Sequence, residues 1–129
     1  MDIWTAGTWV GKIIFCLFFF SSGLNHFTRM QAVIAYAQAK QVPLSGLLVP
    51  LSGLMLMGGA VMILLRWHQI WAFTLIGGFL VPAAFLVHNF WAEADPMQRA
   101  NQRAHFGKNL GLAAAALLLA VMVHRGGPL

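Results

Sequence analysis

Four long apolar runs, separated by short clusters of polar residues, set the plan of this chain. A bilayer's hydrocarbon core, about 30 Å thick, is crossed by roughly 20 helical residues, and each run has that length. The first span covers about residues 7–27, with Trp4 and Trp9 near its start, where amphipathic indoles settle at a membrane surface. Between Phe27 and Pro43 the period changes. Met30, Val33, Ile34 and Ala37 share one face while Gln31, Gln38 and Lys40 fall mostly off it, which predicts an interfacial amphipathic helix ended by Pro43. The second span covers about residues 44–65 and carries Pro50 and three glycines. Arg66-Trp67-His68 is a turn short enough to make the second and third spans antiparallel neighbours. The third covers about residues 69–91, with a kink expected at Pro82. Residues 92–104, with Glu93, Asp95, Arg99 and Arg103, read as a polar connection. The fourth span covers about residues 105–124.

The pattern therefore predicts an all-α, integral membrane four-transmembrane-helix bundle, with an interfacial amphipathic segment between helices one and two. It forms a single domain over residues 1–129, with both chain ends on one side and both longer loops on the other. Composition agrees. A chain of 129 residues that is 60% hydrophobic and 9% charged has too little polar surface for a soluble domain. The net charge of +5 suggests nucleic acid at first sight, but the eight Lys and Arg are scattered singly between apolar runs and make no track for a phosphate backbone. They are better read as interface anchors. Once Arg29 and Lys108 are assigned to a site, the remaining cations do not orient the bundle. Cys16, the one cysteine, excludes an internal disulfide or a Cys-x-x-Cys pair and reads as a small buried side chain. Residues 1–10 hold no Lys or Arg, so the first run is expected to be a retained helix rather than a cleaved leader.

Candidate chemistry gathers at one level. Ser22, Asn25, His26 and Arg29 lie at i, i+3, i+4 and i+7 and form one polar stripe at the end of the first span. Such groups are costly in a membrane unless they face protein, water or a ligand. His88 and Asn89 lie near the end of the third span, and His105, Lys108 and Asn109 open the fourth; all fall on the loop side. Gly107, Gly111 and Ala115 form a small-xxx-small ridge expected to pack against another helix. The plain reading of each histidine is a cap on backbone carbonyls, and that of Lys108 is snorkelling. Together, Asn25, His26, His88, Lys108 and Asn109 suit a quinone headgroup, whose two carbonyls want donors. A haem held by two histidines is the weaker cofactor reading. The spans lack carboxylates and His-x-x-x-His spacing, which argues against a hydrolytic metal site; no nucleophile elbow, phosphate loop or dinucleotide fingerprint occurs.

Several of these segments resemble one family. Ser22-Gly23-Leu24-Asn25-His26, Tyr36, Val42-Pro43, Gly58-Gly59, Phe85, His88, Phe90 and Phe106-Gly107-Lys108-Asn109-Leu110 are similar, in order and spacing, to the DoxX family of small four-helix membrane proteins. The resemblance implies a multi-pass protein of the bacterial inner membrane. Some relatives are subunits of a thiosulfate:quinone oxidoreductase or associate with membrane oxidoreductase complexes; distant eukaryotic relatives are cargo receptors or assembly chaperones, so fold alone does not dictate catalysis. Leu54-Met55-Leu56-Met57 departs from the family, many of whose members have an acidic residue just before the glycine pair. The expectation is an accessory subunit of a redox-linked complex that binds quinone between helices one, three and four, with a membrane or membrane-associated protein partner or a second copy beside it. The alternative is a non-catalytic structural or assembly protein whose polar cluster only packs the helices.

Overall fold

The computed structural model describes residues 1–129 and is helical apart from short connections. Its elements are α1 (Ile3–Thr28), α2 (Met30–Ala39), α3 (Ser45–Leu64), α4 (Gln69–Leu86), a single 3₁₀ turn (Phe90–Ala92) and α5 (Pro96–Gly126). Four of these segments are long and apolar enough to cross a membrane, so the chain is a multi-pass bundle in a lipid bilayer. The α1 start is capped by Asp2, whose carboxylate accepts from Thr5 N at 2.8 Å and from Thr5 Oγ1 at 3.1 Å. Between α1 and α2 the helical path breaks at Arg29, while Arg29 N still bonds Asn25 O at 3.0 Å. The turn between α3 and α4 places Arg66 and His68 in the left-handed region, which reverses the chain within four residues.

Two boundaries differ from the hydropathy pattern. The third span was expected to run helically to residue 91, but α4 ends at Leu86. Val87 N and His88 N both converge on Ala83 O, at 3.0 and 3.2 Å, which closes the last turn and releases the chain. His88 therefore sits in a connection and not on a helix. The expected polar loop over residues 92–104 is also mostly helix. Asp95 accepts from Gln98 N at 2.9 Å and Pro96 occupies the first turn, so α5 starts nine residues before His105. Its 31 residues span roughly 45 Å. That exceeds the hydrocarbon thickness, so its polar first turns extend beyond the apolar layer. Hydropathy reports where a helix meets lipid and not where its hydrogen bonding begins.

Packing follows the order α1–α3–α4–α5, with α2 lying across α3 and the end of α1. Glycine permits the α1–α3 approach: a Cβ on Gly23 would lie 2.7 Å from both Gly53 O and Met57 Cγ. Gly59 plays the same part against α4, where a Cβ would come within 3.0 Å of Ile76 Cγ1. The expected Gly107–Gly111–Ala115 packing ridge is not used in this way. A Cβ on Gly107 or Gly111 would meet nothing within 4 Å, because that face of α5 turns away from α4.

The main core is off-centre. Cys16, Phe19, Leu56, Ile63, Phe73, Ile76, Leu80, Ala116 and Val123 belong to one buried cluster, and their positions place it in the half of the bundle nearer the chain ends. The half toward the α1–α2 and α4–α5 connections lacks such a filling, and there the structure is hollow.

Candidate functional site

The hollow is a cavity of about 550 Å³ walled by α1, α2, α3 and α4, with Lys108 and Asn109 closing it from α5. All five residues expected to bind a cofactor, Asn25, His26, His88, Lys108 and Asn109, line it. Ser22 and Arg29 do so as well, so the whole polar stripe of α1 faces one space. The lining is amphiphilic. Phe18, Phe19, Met55, Phe79 and Leu80 supply an apolar part, and the polar groups lie toward the connections. His105 does not line the cavity; its ring stacks on that of His88, with centroids 5.1 Å apart and planes at 21°. Asn89 also lies outside the lining, with its Oδ1 buried and without a hydrogen-bond partner.

The two histidines are held on their Nδ1 side. His26 Nδ1 lies 3.1 Å from Val49 O and 2.9 Å from Ser52 Oγ, and Ser52 Oγ itself donates to Val49 O at 2.8 Å. A carbonyl oxygen only accepts, so Nδ1 carries the proton and Nε2 of the neutral ring is an acceptor. The ring edge also packs against Phe79, with centroids 5.7 Å apart. His88 Nδ1 lies 2.8 Å from Gln102 Oε1, and Gln102 Nε2 donates to Tyr36 Oη at 2.9 Å. This links α2, α5 and the α4–α5 connection through one buried carboxamide, which can serve His88 as acceptor or donor because Tyr36 Oη can do either.

Other polar groups around the cavity have nothing to bond within the protein. Asn109 is 5% exposed, lines the cavity, and its carboxamide makes no hydrogen bond to the chain. Its amide atoms are reached from the cavity, so their hydrogen-bonding capacity is open to whatever fills that space. Asn25 and the cations Arg29 and Lys108 also have no hydrogen-bonded side-chain partner; the Lys108 ammonium is 5.9 Å from the Phe18 ring centroid. No Asp or Glu lines the space. The ion pair between Lys40 and Glu93 lies outside it and ties the end of α2 to the 3₁₀ turn. Pro82, another lining residue, has no N–H to give the carbonyl of Gly78, which also lines the cavity.

Ser52 and Gln102 were not among the sequence candidates, though each positions a histidine. Gln102 was legible in principle: 102, 105 and 109 share a helix face, but only if α5 is recognised as starting at Pro96. Ser52 had no comparable signal, because a lone serine in an apolar span usually bonds its own backbone. The arrangement offers an acceptor (His26 Nε2), donors (Asn109, Asn25, Lys108, Arg29) and an apolar floor. That combination fits an uncharged or anionic ring bearing oxygen atoms and an apolar tail.

Neither a curated protein nor a solved structure matches the chain. The DoxX family model matches residues 7–89, which include all but the first turn of α1, α2 to α4, and all lining residues except Lys108 and Asn109, so the chain belongs to the DoxX family.

Proposed function

We propose that this protein is an accessory subunit of a redox-linked complex in the bacterial inner membrane, and that its cavity holds a quinone headgroup. The observation that carries the reading is Asn109, whose carboxamide opens on the cavity and is bonded to nothing in the chain. A ligand oxygen would satisfy it. Lys108 and Arg29 supply further donors for ligand oxygens, Asn25 orients them, and Phe18, Phe19 and Phe79 face the ring and the start of its tail. A bound quinone would supply two-electron carriage; the chain itself binds the ring, orients it and excludes lipid. No triad, metal cluster or cofactor motif suggests a stand-alone enzyme, so an oxidoreductase partner is part of the proposal.

The test is to purify the protein in mild detergent, extract the bound lipids and assay quinones by mass spectrometry, with a haem spectrum recorded alongside. Near-stoichiometric quinone is expected. Recovery at the level of an unrelated membrane protein overturns the reading.

A second reading has its own support. His26 and His88 are both bonded within the protein, as an assembly or structural role for the cluster requires. Lys108 separates the two, because it makes no hydrogen bond in the chain and is exposed. Under the quinone reading Lys108→Met folds normally and loses the ligand. Under the structural reading it changes neither, and partner recovery alone reports function.

A further inference from the structure

We infer that the cavity selects the reduced, hydroxyl-bearing form of its ring ligand over the oxidised, carbonyl-bearing form. This deepens the quinone reading and rests on it. The two forms have nearly the same shape, so apolar walls cannot tell them apart. Hydrogen-bond polarity can: a quinone oxygen only accepts, whereas a hydroquinone hydroxyl both donates and accepts.

The polarity of the site follows from what holds His26. At His26 the decisive contact is Val49 O, 3.1 Å from Nδ1. A deprotonated Nδ1 would face that carbonyl lone pair to lone pair. Ser52 does not relieve this: even with its hydroxyl turned to Nδ1, the ring nitrogen would still face the carbonyl lone pair 3.1 Å away. Nδ1 is therefore the donor, and a neutral ring has only an acceptor at Nε2. His88 adds nothing to this bias: its Nδ1 meets the Gln102 amide at 2.8 Å, and because Tyr36 Oη both donates and accepts, either amide orientation is satisfied. The donors do not cancel this bias. Asn109, Asn25, Lys108 and Arg29 can donate to a carbonyl or a hydroxyl oxygen alike, so they raise affinity for both forms. The acceptor distinguishes, because a quinone oxygen beside His26 leaves two lone pairs in contact. Sites built to receive a hydroxyl proton discriminate well against analogues that lack one.

The test uses the full chain in detergent at pH 8, above the ordinary imidazole range. Decylubiquinone and its hydroquinone are titrated anaerobically by calorimetry, with heats of partition into empty micelles subtracted. The hydroquinone is expected to bind at least about tenfold more tightly, which raises the midpoint potential of the bound couple by about 30 mV per tenfold preference. In His26→Gln the amide can turn either its oxygen or its NH₂ toward the ligand, so the preference should fall toward one while both forms still bind. If neither form binds the wild-type chain, the quinone reading fails and takes this inference with it. Equal binding of both forms overturns the inference alone and leaves that reading standing. A preference that survives intact in His26→Gln overturns His26 as its source. The wild-type ratio decides the main point even if the variant does not fold.

Discussion

At the end of the bundle nearer the chain ends, polar groups close on one another. Gln69 is 3% exposed; its Nε2 donates to Ile63 O at 2.8 Å, and its Oε1 accepts from Leu129 N at 2.8 Å. Arg66 Nη2 donates to Pro128 O at 2.9 Å, and the buried Lys12 donates to Leu129 O at 3.1 Å while its ammonium sits 3.7 Å from the Trp9 ring centroid. At the opposite end, Asn25, Arg29, Lys108 and Asn109 surround a cavity and find no such partners. Both ends carry polar side chains in an apolar bundle, and each buries at least one of them (Lys12 and Gln69, Asn109), so polarity alone does not mark function. The useful distinction is whether the hydrogen-bonding capacity is spent inside the chain or left over. By that measure the first end is architecture, and the second is where the proposed ligand would find its partners.

Substitutions should separate the two ends, the largest effect first. Gln69→Leu removes the donor to Ile63 O and the acceptor for Leu129 N, and should cost about 3 kcal/mol in detergent denaturation, since buried groups are left unpaired. A loss below about 0.5 kcal/mol would mean that the closed end is not architectural. Gly23→Ala forces a Cβ against Gly53 O and Met57 Cγ at the wall shared by core and cavity. Overpacking there should cost about 2 kcal/mol, and thermal melts monitored by circular dichroism would register it. Lys40→Met breaks the ion pair with Glu93, a pair partly open to solvent. It should cost no more than about 1 kcal/mol, with hydrogen exchange rising first in α2 if that pair holds the helix down. Asn109→Leu carries the comparison furthest: because the Asn109 amide is bonded to nothing in the chain and opens on the cavity, the change should leave unliganded stability within about 0.5 kcal/mol. It should abolish ligand-induced stabilisation. A stability loss comparable to that of Gln69→Leu would erase the distinction between the ends.

The smallest effect is a pH dependence at Asp2, outside the spans. Backbone and side-chain hydrogen bonds from Thr5 hold its carboxyl below the ordinary value. A folded-state value below the unfolded one contributes stability above the unfolded pKa, and that contribution is lost as pH falls through the folded one. The start of α1 should therefore fray slightly more in acid. Amide exchange at Thr5 should show this, and Asp2→Asn should remove the pH dependence.

Much of this was legible in order along the chain. Four apolar runs of bilayer-crossing length, the break at Pro43 and the turn at Arg66–His68 are local properties, and, the end of α4 and the start of α5 apart, the helices lie where those signals put them. The stripe from Ser22 to Arg29 was also legible, because a 3.6-residue period decides which side chains share a face before any neighbour is known. Other features depended on contacts between distant segments. Nothing in residues 107–115 says whether their small side chains meet a helix or lipid. Likewise, the tautomers of His26 and His88 depend on Val49 and Gln102, which lie 23 and 14 positions away.

Sequence alone determined that the chain is a membrane bundle and which polar groups lie at its loop end, because hydropathy and helical phase are carried by the residues themselves. Tertiary structure decided which of those groups are spent and which are free. Hydrogen-bond satisfaction is a property of pairs, and only packing brings the pairs together. Gln69 and Asn109 are both amides in apolar surroundings; one closes on residue 129, and the other faces an open cavity.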